Sequence, residues 1–276
     1  MAKLFSVASW NVEHFKEDPQ RVGRVVDFVK DQNPDVFGLY EVEGATVFQT
    51  LVDRMPNYTF QITEGLQTQE ILVGVKKTVT AFITQKTEFK AGTTHMRPGQ
   101  LVTVTKNGKN YSMLFLHLAS GDNPRGMGLR DDMLERAFDF RTTLDKAAGG
   151  PGKAHYLFLG DLNTMGMKYP FDRSIDPDLE LKKWDKYAAK TKIAMQRLAK
   201  THPASWSNGS GSSIPPSNLD HVFASTNLHF KTFAAPDGTA AEVSVRGWAT
   251  ESSTAKQDQW IQDYSDHSLL YLEVHS

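Results

Sequence analysis

Apolar residues in this chain fall into short runs that stop abruptly at a polar side chain, and the stops repeat. Ser6-Val7-Ala8-Ser9-Trp10 runs into Asn11, Val36-Phe37-Gly38-Leu39-Tyr40 into Glu41, and Met113-Leu114-Phe115-Leu116 into His117. Tyr156-Leu157-Phe158-Leu159 closes in Gly160-Asp161-Leu162-Asn163. Near-continuous runs with branched and aromatic members predict central strands covered on both faces. Their polar ends then sit at the mouth of a sheet, where open α/β folds place their chemistry. Two more runs are entered through Asp-His, at Leu219-Asp220-His221-Val222-Phe223 and Ser265-Asp266-His267-Ser268-Leu269-Leu270. One such ending is an ordinary strand-closing turn. A surface turn does not require the repetition.

Between these runs the spacing turns helical. Asp18-Pro19 is a cap followed by proline at the first helical position, with Val22, Val25, Val26 and Val29 on one face and Asn33-Pro34 as the stop. Residues 45–55 place Val47, Phe48, Leu51 and Val52 together, and 128–147 carry the stripe Met133, Leu134, Ala137, Phe138, Leu144. From 58 to 117 short strands are predicted, at 58–63, 70–75, 79–86, 100–106 and 110–116, with Asn107-Gly108 as a two-residue hairpin turn. A strand at 154–159 follows the long helix, so helices lie outside and sheets within. Residues 179–200 read as a further helix, continuous or broken, bearing Lys182, Lys183, Lys186, Lys190, Lys192, Arg197 and Lys200. A solvated face is the ordinary reading of such a run and nucleic-acid contact the other. Trp184 and Tyr187 read as core anchors rather than stacking surfaces.

With 276 residues and 39% hydrophobic side chains, the chain can bury a large core. No linker, repeat or low-complexity segment divides it, so one domain over 1–276 is expected, with Ser205 to Ser217 as a loop over the sheet. The net charge of −1 provides no global field for a polyanion or an anionic membrane, which leaves only local contacts. Absence of cysteine excludes disulfides, thiolate metal sites and thiol nucleophiles. Met1-Ala2-Lys3 leads straight into the first strand, and no apolar run approaches the ~20 residues of a membrane span. A soluble monomer without membrane contact or obligate protein partner is expected, cytoplasmic if Met1 is the native start and secreted if a leader has been removed.

The strand tips together supply Asn11, Glu41, Glu70, His117, Asp161, Asn163, Asp220, Asp266 and His267. Oxygen donors without thiolates suit a hard cation, Mg²⁺ or Mn²⁺, held by one or two carboxylates and a substrate phosphate. A phosphate ester is the substrate such a set implies. Arg97, ahead of Pro98, can offer a guanidinium to a phosphate; the ordinary reading makes it a solvated charge and Glu70 a strand-end charge.

Trp10-Asn11, Glu41, Gly160-Asp161-Leu162-Asn163, Leu219-Asp220 and Ser265-Asp266-His267 resemble, in order and over nearly the whole chain, the motifs of the endonuclease/exonuclease/phosphatase superfamily. The resemblance implies a four-layered α/β sandwich, with two packed, mainly antiparallel sheets flanked by helices, and metal-dependent cleavage of a phosphoester. It makes Glu41 the principal metal ligand with Asn11 and Asp266 beside it. His267 becomes the catalytic base or donor, oriented by Asp220, while Asp161 and Asn163 position water and bind phosphoryl oxygens. Leu116-His117-Leu118-Ala119-Ser120 resembles the second histidine of the pancreatic-deoxyribonuclease branch, with Glu70 where that branch keeps its orienting carboxylate. His117 argues against the abasic-site endonucleases, which use a tyrosine in the middle region.

Two positions depart from that branch. Tyr40 replaces the usual glutamine before the metal glutamate, and Glu43 stands where an arginine enters the minor groove. Phosphoinositide-phosphatase flanking residues are missing around Asp220, as is the aromatic hairpin of the secreted sphingomyelinases. A nuclease acting on DNA or RNA is the first expectation. Hydrolysis of a small phosphorylated molecule or lipid headgroup is the second, and a non-catalytic binding protein on the same scaffold the third.

Overall fold

A computed structural model describes residues 2–15, 18–64, 70–93 and 96–276, so the expectation resting on Met1 lies outside the described residues. β1 (Lys3–Phe15), β2 (Val36–Val42), β3 (Tyr58–Ile62) and β4 (Glu70–Lys76) begin one sheet. β5 (Ala81–Lys86), β6 (Gly99–Lys106), β7 (Lys109–His117), β8 (His155–Asp161), β9 (Met195–Arg197) and β10 (Asp220–Ser225) form a second, in the order β5-β6-β7-β8-β10-β9. The chain then adds β11 (His229–Phe230), a small ribbon of β12 (Phe233–Ala234) and β13 (Ala240–Ala241), then β14 (Ser244–Arg246) and β15 (Leu269–His275). The last strands return to the first sheet, whose order is β11-β15-β1-β2-β4-β3, with β14 also on β15.

Two parallel pairings decide where the polar tips meet. β1 runs parallel to β2 and β7 parallel to β8, while the other pairings are antiparallel. Each parallel pair is joined by a helical crossover, α1 (Pro19–Gln32) and α3 (Pro124–Ala147). In register, Asn11 lies beside Tyr40, His117 beside Asp161, and Asp161 beside Asp220. The C-terminal parts of β1, β2, β7 and β8 and the first residue of β10 therefore share one end of the sandwich.

Three apolar clusters define the layers. Phe115, Leu157, Val222, Val73 and Leu270 are among those that fill the space between the sheets. Val22, Val25, Val26 and Val29 of α1, Val47 and Leu51 of α2 (Ala45–Arg54) and Trp260 of α5 (Thr254–Asp263) cover the first sheet. Met133, Leu134, Ala137 and Phe138 of α3, with Trp184 of α4 (Pro177–Ala188), cover the second. The result is the four-layered α/β sandwich.

Local signals act as expected at several ends. Asp18 accepts from the amides of Gln20 and Arg21, and Asn33 closes α1 with φ 49°. Asn107 and Gly108, at φ 51° and 72°, make the β6–β7 turn. The helix expected over 179–200 is corrected: it ends at Ala188, and Ala194, at φ 49°, turns the chain into β9. Met195, Gln196 and Arg197 pair with Ser225, Ala224 and Phe223 of β10, a long-range ladder that overrides the helical pattern. Trp184 is buried in the core, stacked on Phe138 at 5.7 Å between ring centroids.

Candidate active site

Backbone irregularities aim the first two tips. The β1–β2 ladder shifts register between Asn11 and Phe15, and the β2–β4 ladder between Leu39 and Val42. Glu13, His14 and Glu41 occupy left-handed conformations at φ 43°, 44° and 61°, as does Asn163 at 49°. Such strain in non-glycine residues persists only where the surroundings enforce it, and it collects at functional sites. Gly160, at φ 146°, lets β8 press against β7: a Cβ there would lie 1.9 Å from the Leu116 carbonyl oxygen and 2.8 Å from the Tyr40 hydroxyl.

Asp161 is the centre of the cluster. Its Oδ2 accepts from Asn11 Nδ2 at 2.9 Å and lies 3.5 Å from His117 Nε2 and 3.8 Å from His267 Nε2. Its Oδ1 accepts from the Asn163 amide at 3.0 Å. Asn11 Nδ2 also donates to Glu41 Oε1 at 3.1 Å, and that oxygen lies 3.7 Å from His117 Nε2. On the far side, His267 Nδ1 meets Asp220 Oδ2 at 2.8 Å, and Asp266 Oδ1 lies 3.9 Å from His267 Nε2.

Burial and crowding push these groups apart electrically. Burial raises the Asp161 carboxyl above its usual range, and Asp220 and Glu41 add to this while His267 and Asn11 oppose it. Burial lifts Asp266 to about 6, with Glu13 and Glu41 adding to it. For His267, burial favours the neutral ring, but Asp220, Asp161 and Asp266 outweigh it and hold the pKa up to about 10. His117 moves the other way, held well below its ordinary value by burial and by the charges of Arg97, His267 and His14. One imidazole is thus kept cationic and the other neutral.

The donor set fits a divalent cation. Ligand atoms of Glu41, His117 and Asp161 lie within 4.8 Å of one another, as do those of Asp161, Asp220 and His267. Burial raises the Asp161 and Asp266 carboxyls and the neighbouring acids add to it, a cost that a bound cation would relieve. Asp266 belongs to neither cluster; its Oδ2 accepts from Trp206 Nε1 at 2.6 Å, and its buried Oδ1 has no hydrogen-bond partner among the described residues. Asn11 turns its amide nitrogen to the carboxylates, while its Oδ1 accepts from the Glu13 amide.

Glu70 departs from its expected place. Its carboxylate accepts from the Thr63 hydroxyl, and His117 Nδ1 is left buried without a hydrogen-bond partner among the described residues. Glu70 stands at the start of β4, opposite Val42, where Thr63, the residue after β3, reaches it first. Arg97 is mostly buried among Glu41, Asp161, Glu70 and Glu43, whose charges oppose the lowering of its pKa by burial. Lys200 leaves the expected lysine face and donates to Asn218 Oδ1 at 2.5 Å and to the Asp220 carbonyl at 2.8 Å.

Three supports carry no local signal. Tyr40 packs edgewise on His117, ring centroids 6.1 Å apart, with its hydroxyl 2.9 Å from Ser9 Oγ. Trp10 Nε1 donates to the His267 carbonyl at 2.8 Å. The wholly buried Arg130–Glu180 pair holds both loops behind the site: Arg130 donates to the carbonyls of Gly121 (2.6 Å) and Gly166 (2.7 Å), and Glu180 accepts from the Gly166 amide. Spacing along the chain does not reveal them, because Ser9, His267 and Glu180 lie 31, 257 and 50 positions from Tyr40, Trp10 and Arg130.

The model of the Endonuclease/Exonuclease/phosphatase family matches residues 8–267. The chain belongs to this family. Members of the family hydrolyse phosphoester bonds. No curated protein sequence matches the chain. Among solved structures, TDP2 of C. elegans superposes with a TM-score of 0.68 at 16% identity, covering 99% of this chain and 75% of that one. D. rerio TDP2, complexed with single strand DNA product, gives 0.65 at 19%, covering 99% of both chains. A mannosyl-6-phosphatase of Bacteroides thetaiotaomicron gives 0.59 at 13%, covering 99% of this chain and 100% of that one. At these identities the likeness is one of fold. No helix among the described residues is long and apolar enough to cross a membrane.

Proposed function

We propose that the protein is a divalent-metal-dependent phosphodiesterase that cleaves a polynucleotide backbone. The observation that carries this reading is the convergence of two imidazoles, of opposite protonation preference, on the one carboxylate of Asp161. A diester needs a base for the attacking water and an acid for the leaving oxygen, and two groups with separated pKa values can fill both roles.

His117, kept neutral, accepts a proton from water as the new O–P bond forms. His267, kept cationic and held at Nδ1 by Asp220, donates from Nε2 to the leaving oxygen as the old P–O bond breaks. Asp161 and Asn163 orient the water and the phosphoryl oxygens, and Arg97 supplies positive charge beside them. Glu41 and Asp161, with Asn11 and Asp266 adjoining, would hold Mg²⁺ or Mn²⁺, and such a cation would supply positive charge to the phosphoryl oxygens. TDP2, with its single strand DNA product, supports a polynucleotide on this fold.

A second reading is hydrolysis of a small phosphorylated molecule. It is favoured by the net charge of −1, by Glu43 in place of a groove-entering arginine, and by the mannosyl-6-phosphatase among the similar structures. Plasmid, single-stranded DNA, RNA, bis-(p-nitrophenyl) phosphate and a sugar phosphate, each with Mg²⁺, Mn²⁺ or EDTA, separate the two. The first reading expects metal-dependent cleavage of a polynucleotide with affinity falling steeply with salt. Turnover of sugar phosphate alone would replace it by the second, and full activity after dialysis against EDTA would overturn the metal.

A further inference from the structure

The loop that follows Asn163 carries the most exposed large apolar side chain among the described residues: Phe171 is 87% accessible, and beside it Tyr169 is 40%. Their rings meet edge to face, with centroids 5.7 Å apart and planes at 78°. Burial is the ordinary fate of phenylalanine, so an aromatic pair held out in water calls for an occupant.

The base of this loop is firmly built. Met167 and Ile175 exchange both backbone hydrogen bonds at 2.8 Å, Lys168 donates its amide to the Asp122 carbonyl, and Gly166 is clamped by Arg130 and Glu180. Asp122 lies in the loop after β7, the strand that ends in His117, and the Leu118 amide bonds to the Asp161 carbonyl. The ring pair therefore projects from the same end of the sandwich as the catalytic cluster.

Charge beside the rings is mixed, with Asp172 between Phe171 and Arg173 and Asp176 capping α4, and the cations gather one turn further along that helix. Of the loop's two cations, Lys168 pairs with Asp122 at 2.7 Å, and Arg173 follows Asp172, to whose carboxylate its amide donates. α4 starts directly behind the loop and presents a shallow groove lined by Leu179, Lys182, Lys183, Lys186, Tyr187 and Lys190. Lys183 is paired with Asp131 and Lys190 lies 3.6 Å over the Tyr187 ring, but Lys182 and Lys186 have no ion pair among the described residues. Exposed rings followed by unneutralised cations match a chain of stacked bases joined by phosphates.

We propose that Tyr169 and Phe171 form a stacking platform for unpaired bases beside the scissile phosphate, with the strand continuing over the lysine face of α4. This rests on the polynucleotide reading above and narrows it to single-stranded substrate. A duplex hides its base faces, so the platform favours single strands, frayed ends and gaps.

The test compares the wild type with Tyr169→Leu/Phe171→Leu, which keeps an apolar tip but removes both rings. Anisotropy in EDTA measures affinity for a labelled oligothymidylate and for the same backbone made wholly of abasic sites. The platform predicts that the double variant binds oligothymidylate roughly 10-fold or more weakly, about the cost of one or two lost stacks. Binding of the abasic strand, and metal-dependent turnover of bis-(p-nitrophenyl) phosphate, stay unchanged. Equal loss on both strands, or no loss on either, overturns the platform while leaving the phosphodiesterase intact. Binding of wild type and Leu variant alike to phosphatidylserine vesicles, with no difference on oligothymidylate, would make the tip a lipid contact instead. If the wild type turns over the small diester yet binds no oligonucleotide, the polynucleotide reading itself fails, and the platform with it.

Discussion

The two imidazoles that face Asp161 are held in different ways. His267 is braced on every side: Asp220 meets its Nδ1 at 2.8 Å, Ser265 Oγ accepts from its amide, and Trp10 fixes its carbonyl. Behind Asp220, Lys200 and Ser205 hold the backbone in turn. His117 has a tyrosine edge against its ring, but its Nδ1 has no hydrogen-bond partner among the described residues. The carboxylate expected to orient it, Glu70, is engaged with Thr63. A cation needs that bracing, because a buried imidazolium without a paired acid would lose its proton. A neutral ring needs only shape, and burial together with the charges of Arg97, His267 and His14 keeps His117 neutral although Asp161 and Glu41 lie 3.5 and 3.7 Å from its Nε2.

The largest way to break this comparison is to remove the carboxylate common to both rings. Asp161→Asn should lower kcat by roughly 10³-fold or more, since it discharges the centre while keeping its shape. Steady-state rates on bis-(p-nitrophenyl) phosphate check this, and near-normal turnover would displace Asp161 from the reaction. His117→Ala and His267→Ala should each cost roughly 10²-fold or more in kcat, with the double variant far from additive. A His117→Ala enzyme with near-normal kcat would reduce His117 to packing and leave a single-histidine mechanism.

The supports sharpen the contrast with smaller effects. Asp220→Asn should lower kcat by roughly 10-fold and shift the alkaline limb of the rate profile downward, because it removes the largest charge raising the His267 pKa. Glu70→Gln should leave that profile in place and act through its bond to Thr63. An equal shift from both variants would show that Glu70 does reach His117 during turnover.

The smallest effect is on stability. Asp266 titrates near 6 in the folded chain, above the value of an unfolded carboxyl, so the fold prefers its protonated form. Its favourable contribution is present below about pH 4 and is lost as pH rises through about 6. His267, raised to about 10, has the same sign, with stability present below its unfolded pKa and declining towards 10. Chelated protein should therefore melt several degrees lower at pH 7.5 than at pH 5, and Mg²⁺ should raise Tm more at the higher pH. Asp266→Asn should shrink that difference. An equal Mg²⁺ increment at both pH values would argue that these acids do not share the cation.

Much of this could be read along the chain. Runs ending in Asn11, Glu41, His117 and Asp161 became adjacent strands whose ends meet, because alternation and length are local properties of a strand. The caps at Asp18 and Asn33 and the turn at Asn107-Gly108 were legible for the same reason. The end of α4 was not, since residues 189–197 follow a ladder to β10 rather than their own periodicity. Nor was the lysine at 200, which sits under Asp220 and not on the helix face.

By itself, then, the sequence determined the long strands and the helices α1 to α3 and which polar residues stand at the strand ends, since those choices turn on neighbours a few positions away, while β9 and α5 had no such local reading. The tertiary structure alone decided which acid each histidine meets, through contacts spanning 47 residues from Asp220 to His267 and 60 from Trp206 to Asp266. Protonation followed from those contacts: hydrogen-bonded Asp220 and its neighbouring acids keep His267 charged, while burial and the nearby cations keep His117 neutral, and no local pattern encodes the distances that separate the two outcomes.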